Sequence, residues 1–195
     1  MARNKSISDK KEIIRTAMEL LEQEGITALS IRRIGSGLNV SGMTLYNYIE
    51  NIDEVKREVI LEGFRRLYKE GYESLRALKE NNRSISFQIG CKVLAKVLYD
   101  FGVNHCHLYE LMFCGHEGRF KKDAEISPFY GFFHNHFNRS PDNSDNCEYN
   151  RALNMLDHIT NSLILEQVRE VKPRSEESFF DYINEFIEKM FKGNL

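Results

Sequence analysis

Apolar positions recur every three to four residues along most of this chain, the period of a helix with one buried face. Ile13, Ala17, Leu20 and Leu21 form the first such stripe. Asp9, with Glu12 three residues on, has capping-box spacing at its start, and Gly25 closes it. Ser30 is placed to cap a second helix through Ile31, Ile34 and Leu38. Asn39 falls where the chain must reverse, and Asn tolerates the left-handed conformation better than most residues. Val40 plugs that turn, and Ser41 caps a third short helix running to Ile49, with Leu45 and Ile49 on its apolar back. Asn51 and Glu54 repeat the capping-box spacing and open a long helix through Val55, Val59, Leu67, Leu75 and Leu78 to Asn81–Asn82.

The remainder keeps the helical period. Ile85, Ile89, Val93, Leu94, Val97, Leu98 and Phe101 predict one wide apolar face, and Leu108 to Phe113 a shorter helix. Ser127–Pro128, with Ser as cap and Pro in the first turn, predicts a helix bearing Phe129, Phe132, Phe133 and Phe137. Residues 139–148 have no period and read as a polar loop. Two final helices follow. Tyr149–Val171 carries Leu153, Leu156, Ile159, Leu163 and Ile164 and is ended by Lys172–Pro173. The last is capped by Ser175, with Glu176 and Glu177 at the positive end of its dipole. The fold class is all-α, without repeats, strands or low-complexity tracts.

Composition narrows the class. The chain has 195 residues, 42% apolar and 29% charged, the profile of a globular protein. No apolar run approaches the ~20 residues of a membrane span, and the basic N-terminus lacks the apolar core of a signal peptide. Cys91, Cys106, Cys114 and Cys147 form no CxxC pair and read as reduced thiols, which places the chain in the cytoplasm. Net charge is −2, but residues 1–83 carry 15 Lys and Arg against 13 Asp and Glu. The basic residues are local: Arg3, Lys5, Lys10 and Lys11, then Arg32 and Arg33. Such an N-terminal arm suits phosphates or a minor groove, and equally suits a solvated tail.

The helix from Ser41 presents Tyr46, Asn47 and Tyr48 opposite its apolar back, a face suited to the DNA major groove. The alternative is a small helical subdomain in which Ile31, Ile34, Leu38 and Leu45 only fill a core. The pattern Ser30-Ile31-Arg32, Asn39-Val40-Ser41, Thr44-Leu45-Tyr46-Asn47-Tyr48-Ile49 and Asn51-Ile52-Asp53-Glu54-Val55 resembles, in fixed register, the helix-turn-helix of TetR-family transcriptional regulators. Ile52 stands where that family often has a phosphate-binding Lys, and Gly35 and Gly37 each cost about 1 kcal/mol of helix propensity.

The resemblance implies a helix-turn-helix DNA-binding domain over residues 1–52, a connecting helix over 53–83 and a helical ligand-binding and dimerisation domain over 84–195. It further implies a homodimer, paired through the last two helices, that represses transcription until a small-molecule inducer releases it from a palindromic double-stranded operator. No cofactor or metal is expected. Arg32 occupies the slot from which the first motif helix reaches DNA, with Ser30 and Arg33 beside it. Thr44, Tyr46 and Tyr48 are expected on phosphates and Asn47 on a base. Ser41, Gly42 and Met43 lie at the helix start, where free amides face a phosphate.

Twelve of the thirteen Phe residues lie beyond position 84. They read either as bulky core or, by the resemblance, as the walls of an inducer pocket, with Phe87, Cys91, Tyr99, Phe101, Tyr109, Phe113, Phe129, Phe133 and Phe137 as its candidates. His105, Cys106, His107, Cys114 and His116 crowd one stretch, but neighbours on a helix diverge by about 100° and no metal-binding spacing is present. An enzyme built on a Cys–His pair lacks any accompanying phosphate loop or nucleophile turn. A DNA-binding helical protein acting without an inducer shares the same head and remains a reading of the sequence.

Overall fold

The computed structural model describes residues 7, 9–81, 86–114, 123–137, 147–171 and 174–191. Helices α1 (Lys10–Glu24), α2 (Ile31–Leu38) and α3 (Gly42–Leu45) pack as a head against the first turns of α4 (Ile52–Asn81). At 30 residues, α4 runs about 45 Å at 1.5 Å per residue. It packs on α6 (Cys106–Phe113) from about Gly63 and Phe64, and also on α5 (Phe87–Asn104) and α7 (Phe132–Phe137). Helices α8 (Cys147–Val168) and α9 (Glu176–Met190) close the body against α5. The chain is all-helical. Among the described residues no helix is long and apolar enough to cross a membrane.

The caps explain most boundaries. The Asp9 carboxylate accepts from the Glu12 amide at 3.0 Å, and Gly25 ends α1 at φ +80°. At the start of α4, Asn51 Oδ1 accepts from the Glu54 amide (3.0 Å), while Glu54 accepts from the Glu50 amide (2.6 Å) rather than from its own cap residue. Ser86 and Ser175 cap α5 and α9 through the amides of Ile89 and Ser178.

One core runs through both halves. Ile13, Ala17, Leu21, Ile34, Leu38, Leu45 and Val59 fill it in the head, and Phe64 and Leu67 carry it along α4 into the body.

Several sequence expectations shift. The helix expected from Ser41 to Ile49 has only one α-turn; after Leu45 the amides of Asn47 and Tyr48 bond three residues back, which tightens the chain into turns. Ser127 caps nothing. It instead opens a short 3-10 turn, Ser127–Tyr130, with Pro128 in second place, and α7 begins separately beyond Gly131. Ile89, expected in the core of α5, is 48% exposed. Cys147 and Glu148 belong to α8, while the rest of the expected polar loop lies outside the described residues. Helix α8 ends at Val168 because Glu170 turns left-handed (φ 55°) and the Val171 amide reaches back to the Glu166 carbonyl. The proposed terminator, Lys172–Pro173, lies outside the described residues.

Candidate nucleic-acid interface

Helix α2 is held at its start by Ser30, whose hydroxyl accepts from the Arg33 amide at 3.3 Å. It ends at Asn39, left-handed at φ 58°, and the next amide, of Val40, bonds to Gly35 O at 2.9 Å. Ser41 then caps α3: its Oγ accepts from the Thr44 amide (3.3 Å) and shares a hydrogen bond with Thr44 Oγ1 (2.9 Å).

The glycines make the crossing possible. A Cβ on Gly35 would lie 3.1 Å from the Val40 carbonyl and 3.2 Å from the Gly42 nitrogen, both backbone atoms. A Cβ on Gly37 would meet Thr16 Cγ2 of α1 at 2.9 Å. The helix-propensity cost read from the sequence is therefore the condition for packing α3 and α1 closely onto α2.

This support leaves one face of the motif outward. Leu45 and Ile49 are buried behind it, whereas Met43 is 75% and Tyr46 50% exposed. Arg32 and Asn47 are exposed as well. The side chains of these four have no hydrogen-bond or ion-pair partner among the described residues. Together they combine a guanidinium, an amide, a phenol and a flexible thioether, the donors, acceptors and apolar surface that base edges and thymine methyls can meet.

The other expected contacts have prior engagements. Arg33 is paired with Glu24 of α1. The Tyr48 hydroxyl donates to the Ile7 carbonyl (3.0 Å), which fastens the end of the motif to the chain before α1. Ser30 and Ser41 are capping residues, Thr44 is bonded to Ser41 through its amide and its hydroxyl, and Gly42 is a close-approach position against Ile31 (3.2 Å). Lys10 is bonded to Glu54 (2.7 Å) and Glu58 (3.2 Å), so it ties α1 to α4. Arg3 and Lys5 lie outside the described residues.

The nine aromatic and thiol candidates of the body do not gather round one space. Phe113 and Phe129 pack on Phe64 at 5.5 and 5.4 Å, Phe87 packs between Phe137 and Phe191, and Tyr99 lies under α9 against Phe179. Tyr99 and Phe101 are two residues apart, so a helix turns them about 200° from one another. Cys91, Phe101, Tyr109 and Phe133 are buried. Of the nine, Phe129 lines an open groove of about 700 Å³ with Tyr68, Tyr72, Pro128 and Asn135. Phe64, Tyr68 and Tyr130 were not singled out by composition, because the first two lie on the connecting helix rather than in the Phe-rich stretch. In the His/Cys stretch, His105 bonds Glu22 (3.0 Å) and His107 packs on Gly25. His116 lies outside the described residues; among these, no three His, Cys, Asp or Glu converge as a metal site.

Comparison with known proteins gives this geometry a context. Residues 13–59 match the family model of bacterial regulatory proteins, tetR family. An uncharacterised HTH-type transcriptional regulator of Bacillus subtilis, YobS, is 26% identical over 101 residues, which are 52% of this chain and 49% of that protein. The chain thus matches about half the length of this relative. Among solved structures, the fatty acid degradation regulator FadR of Bacillus halodurans superposes with a TM-score of 0.66 at 13% identity, over 94% of this chain and 96% of that one. A TetR variant of Acinetobacter baumannii in complex with minocycline gives 0.61 at 16% identity, over 95% and 97%. At these identities the likeness is one of fold.

Proposed function

We propose that the chain, whose residues 13–59 match the model of bacterial regulatory proteins of the tetR family, is a regulator of that family that binds an operator through α2 and α3 as a homodimeric, ligand-responsive repressor. The observation that carries the DNA-binding half is the outward set Arg32, Met43, Tyr46 and Asn47, mounted on a motif whose back is buried. In this reading Arg32 and Asn47 read bases, Met43 and Tyr46 supply apolar contact, and the free amides at the start of α3 approach a phosphate. Such a regulator works where the DNA is, in the cytoplasm.

Dimerisation through α8 and α9 is supported by apolar surface that a single chain leaves uncovered. Met155 and Tyr182 are 40% and 56% exposed, and Ile159, Phe180, Phe186 and Met190 are half-buried beside them. A two-fold pair would cover this surface and place two copies of α3 on one side of a duplex, which suits a palindrome. The inducer half rests on the body: a groove bounded by α4 and the segment before α7, and the complex with minocycline known for one protein of the same fold. Sedimentation and footprinting of the chain on the DNA flanking its own gene test the reading together. A dimer protecting a palindrome is expected; a monomer at micromolar concentration, or an unsymmetrical footprint, would overturn it.

A further inference from the structure

Asp157 and Thr160 stand one turn apart on α8 and are 4% and 0% exposed. Oδ1 of Asp157 accepts from the Phe133 amide at 3.2 Å. Its Oδ2 and the Thr160 Oγ1 are buried with no hydrogen-bond partner among the described residues. Protein interiors rarely leave two such atoms side by side on one helix face, and a specific reason is to be sought where they do.

The carboxyl also lacks a countercharge. Burial dominates its environment, offset in part by the amides of Phe133, His134 and Phe132, with no Lys or Arg acting on it. Tyr68, Cys91 and Tyr109 lie near enough for its charge to act on them, and each is itself kept neutral by burial. The charge of Asp157 acts on Tyr68, which also borders solvent. Its hydroxyl donates to the Phe129 carbonyl (2.9 Å) and accepts from Asn135 Nδ2 (2.7 Å), and it lines the open groove with Phe129 and Tyr72, beside Arg65, Lys69 and Glu73.

We propose that Asp157 and Thr160 are the polar recognition point for an organic cation with an apolar body, a protonated amine that enters by the groove at Tyr68 and donates to Oδ2 and Oγ1. The proposal rests on the ligand-responsive reading above. A protonated amine brings both missing elements, donors and positive charge. An alcohol brings only a donor, and a carboxylate adds charge of the wrong sign to a site that cannot shield it. The competing role for Asp157, accepting from the first amides of α7, is kept by Asn through Oδ1.

Titration calorimetry of the chain with decylamine, decanol and decanoate tests this at about pH 8, where the carboxyl is ionised. Decylamine is expected to bind once per chain and decanol at least about tenfold more weakly, as for a desolvated charge pair that loses one partner. Decanoate is expected not to bind. Asp157→Asn should bring decylamine down to the level of decanol while its circular dichroism and melting stay those of a folded protein. Thr160→Val, which keeps the volume, should weaken decylamine severalfold and provides an independent arm. Equal binding of amine and alcohol, an indifferent Asp157→Asn, or no binding by any of the three overturns the proposal. Because the readout is binding itself, the failure of the ligand-responsive reading is separate: decylamine would bind as expected and leave operator occupancy unchanged.

Discussion

Gly35 and Gly42 meet where α2 crosses the start of α3, with the place of a Gly35 side chain 3.2 Å from the Gly42 nitrogen. Alanine is the better helix former by about 1 kcal/mol, so propensity alone makes Gly35→Ala stabilising. The contact reverses that sign, because the atoms in the way are backbone and cannot turn aside. Gly35→Ala is expected to cost about 1–3 kcal/mol by overpacking and to weaken DNA binding by displacing α3. Ser36→Ala, at an exposed neighbour, should change stability by less than about 0.5 kcal/mol. Denaturant melts of the two variants beside wild type decide it; a Gly35→Ala protein as stable as Ser36→Ala would show that the crossing tolerates a methyl group.

The two arginines at the start of α2 should differ. Arg32 is unengaged, whereas Arg33 is held by Glu24. Arg32→Ala and Asn47→Ala are each expected to cost about 1–3 kcal/mol on the operator and to relax specificity. Arg33→Ala should reduce binding to operator and random DNA alike, or neither. Fluorescence anisotropy on both DNAs checks this, and equal losses for Arg32→Ala on the two would demote it to a phosphate contact.

Arg57 fastens α4 to the segment before α7, with Nε donating to Asp123 at 2.6 Å and a second contact to Glu125. The Arg57 guanidinium holds the Asp123 carboxyl down at about 2, aided by the amides of Glu125 and Ile126. A depressed carboxylate contributes stability above its unfolded value, near 4, that is lost as pH falls through the folded one. With both partners partly exposed, the contribution is about 1 kcal/mol or less. Asp123→Asn should therefore melt slightly earlier at pH 7 and lose that difference toward pH 2, as read by chemical denaturation across pH.

Asp157 carries the opposite sign. Burial pushes its carboxyl up to about 7, against the pull of the Phe133, His134 and Phe132 amides. The folded protein then holds a proton that the unfolded chain releases near pH 4, so stability from this group falls as pH rises from about 4 to 7. Asp157→Asn keeps an acceptor for the Phe133 amide and removes the charge. It is expected to be more stable than wild type at pH 8 and close to it at pH 4. A variant less stable than wild type at pH 8 would mean that the ionised form is compensated.

Much of the head was legible because its signals are local. Asp9, Ser30, Asn39, Ser41 and Asn51 each act on a backbone group within a few residues, so spacing alone reveals them. Gly35 and Gly37 were legible only as a cost, since their partners lie across helix crossings. The engagements of Arg33, Tyr48 and Lys10 likewise depend on which elements meet. In the body, helical period identified α5, α8 and α9 but not which aromatic faces which. Asp157 gave no signal, because a single Asp in an amphipathic helix reads as solvent-facing until the packing of α7 on α8 buries it.

The central claim is that the outward face of α2 and α3 reads a symmetric DNA site. The most direct test is selection from a random duplex library by the purified chain, run in parallel with Arg32→Ala and Asn47→Ala. Wild type is expected to enrich a palindrome whose half-sites are spaced by about a helical turn, ~34–36 Å, or more, and each variant to lose base preference at symmetric positions within it. Enrichment of no sequence, or of the same palindrome by all three proteins, would contradict the claim.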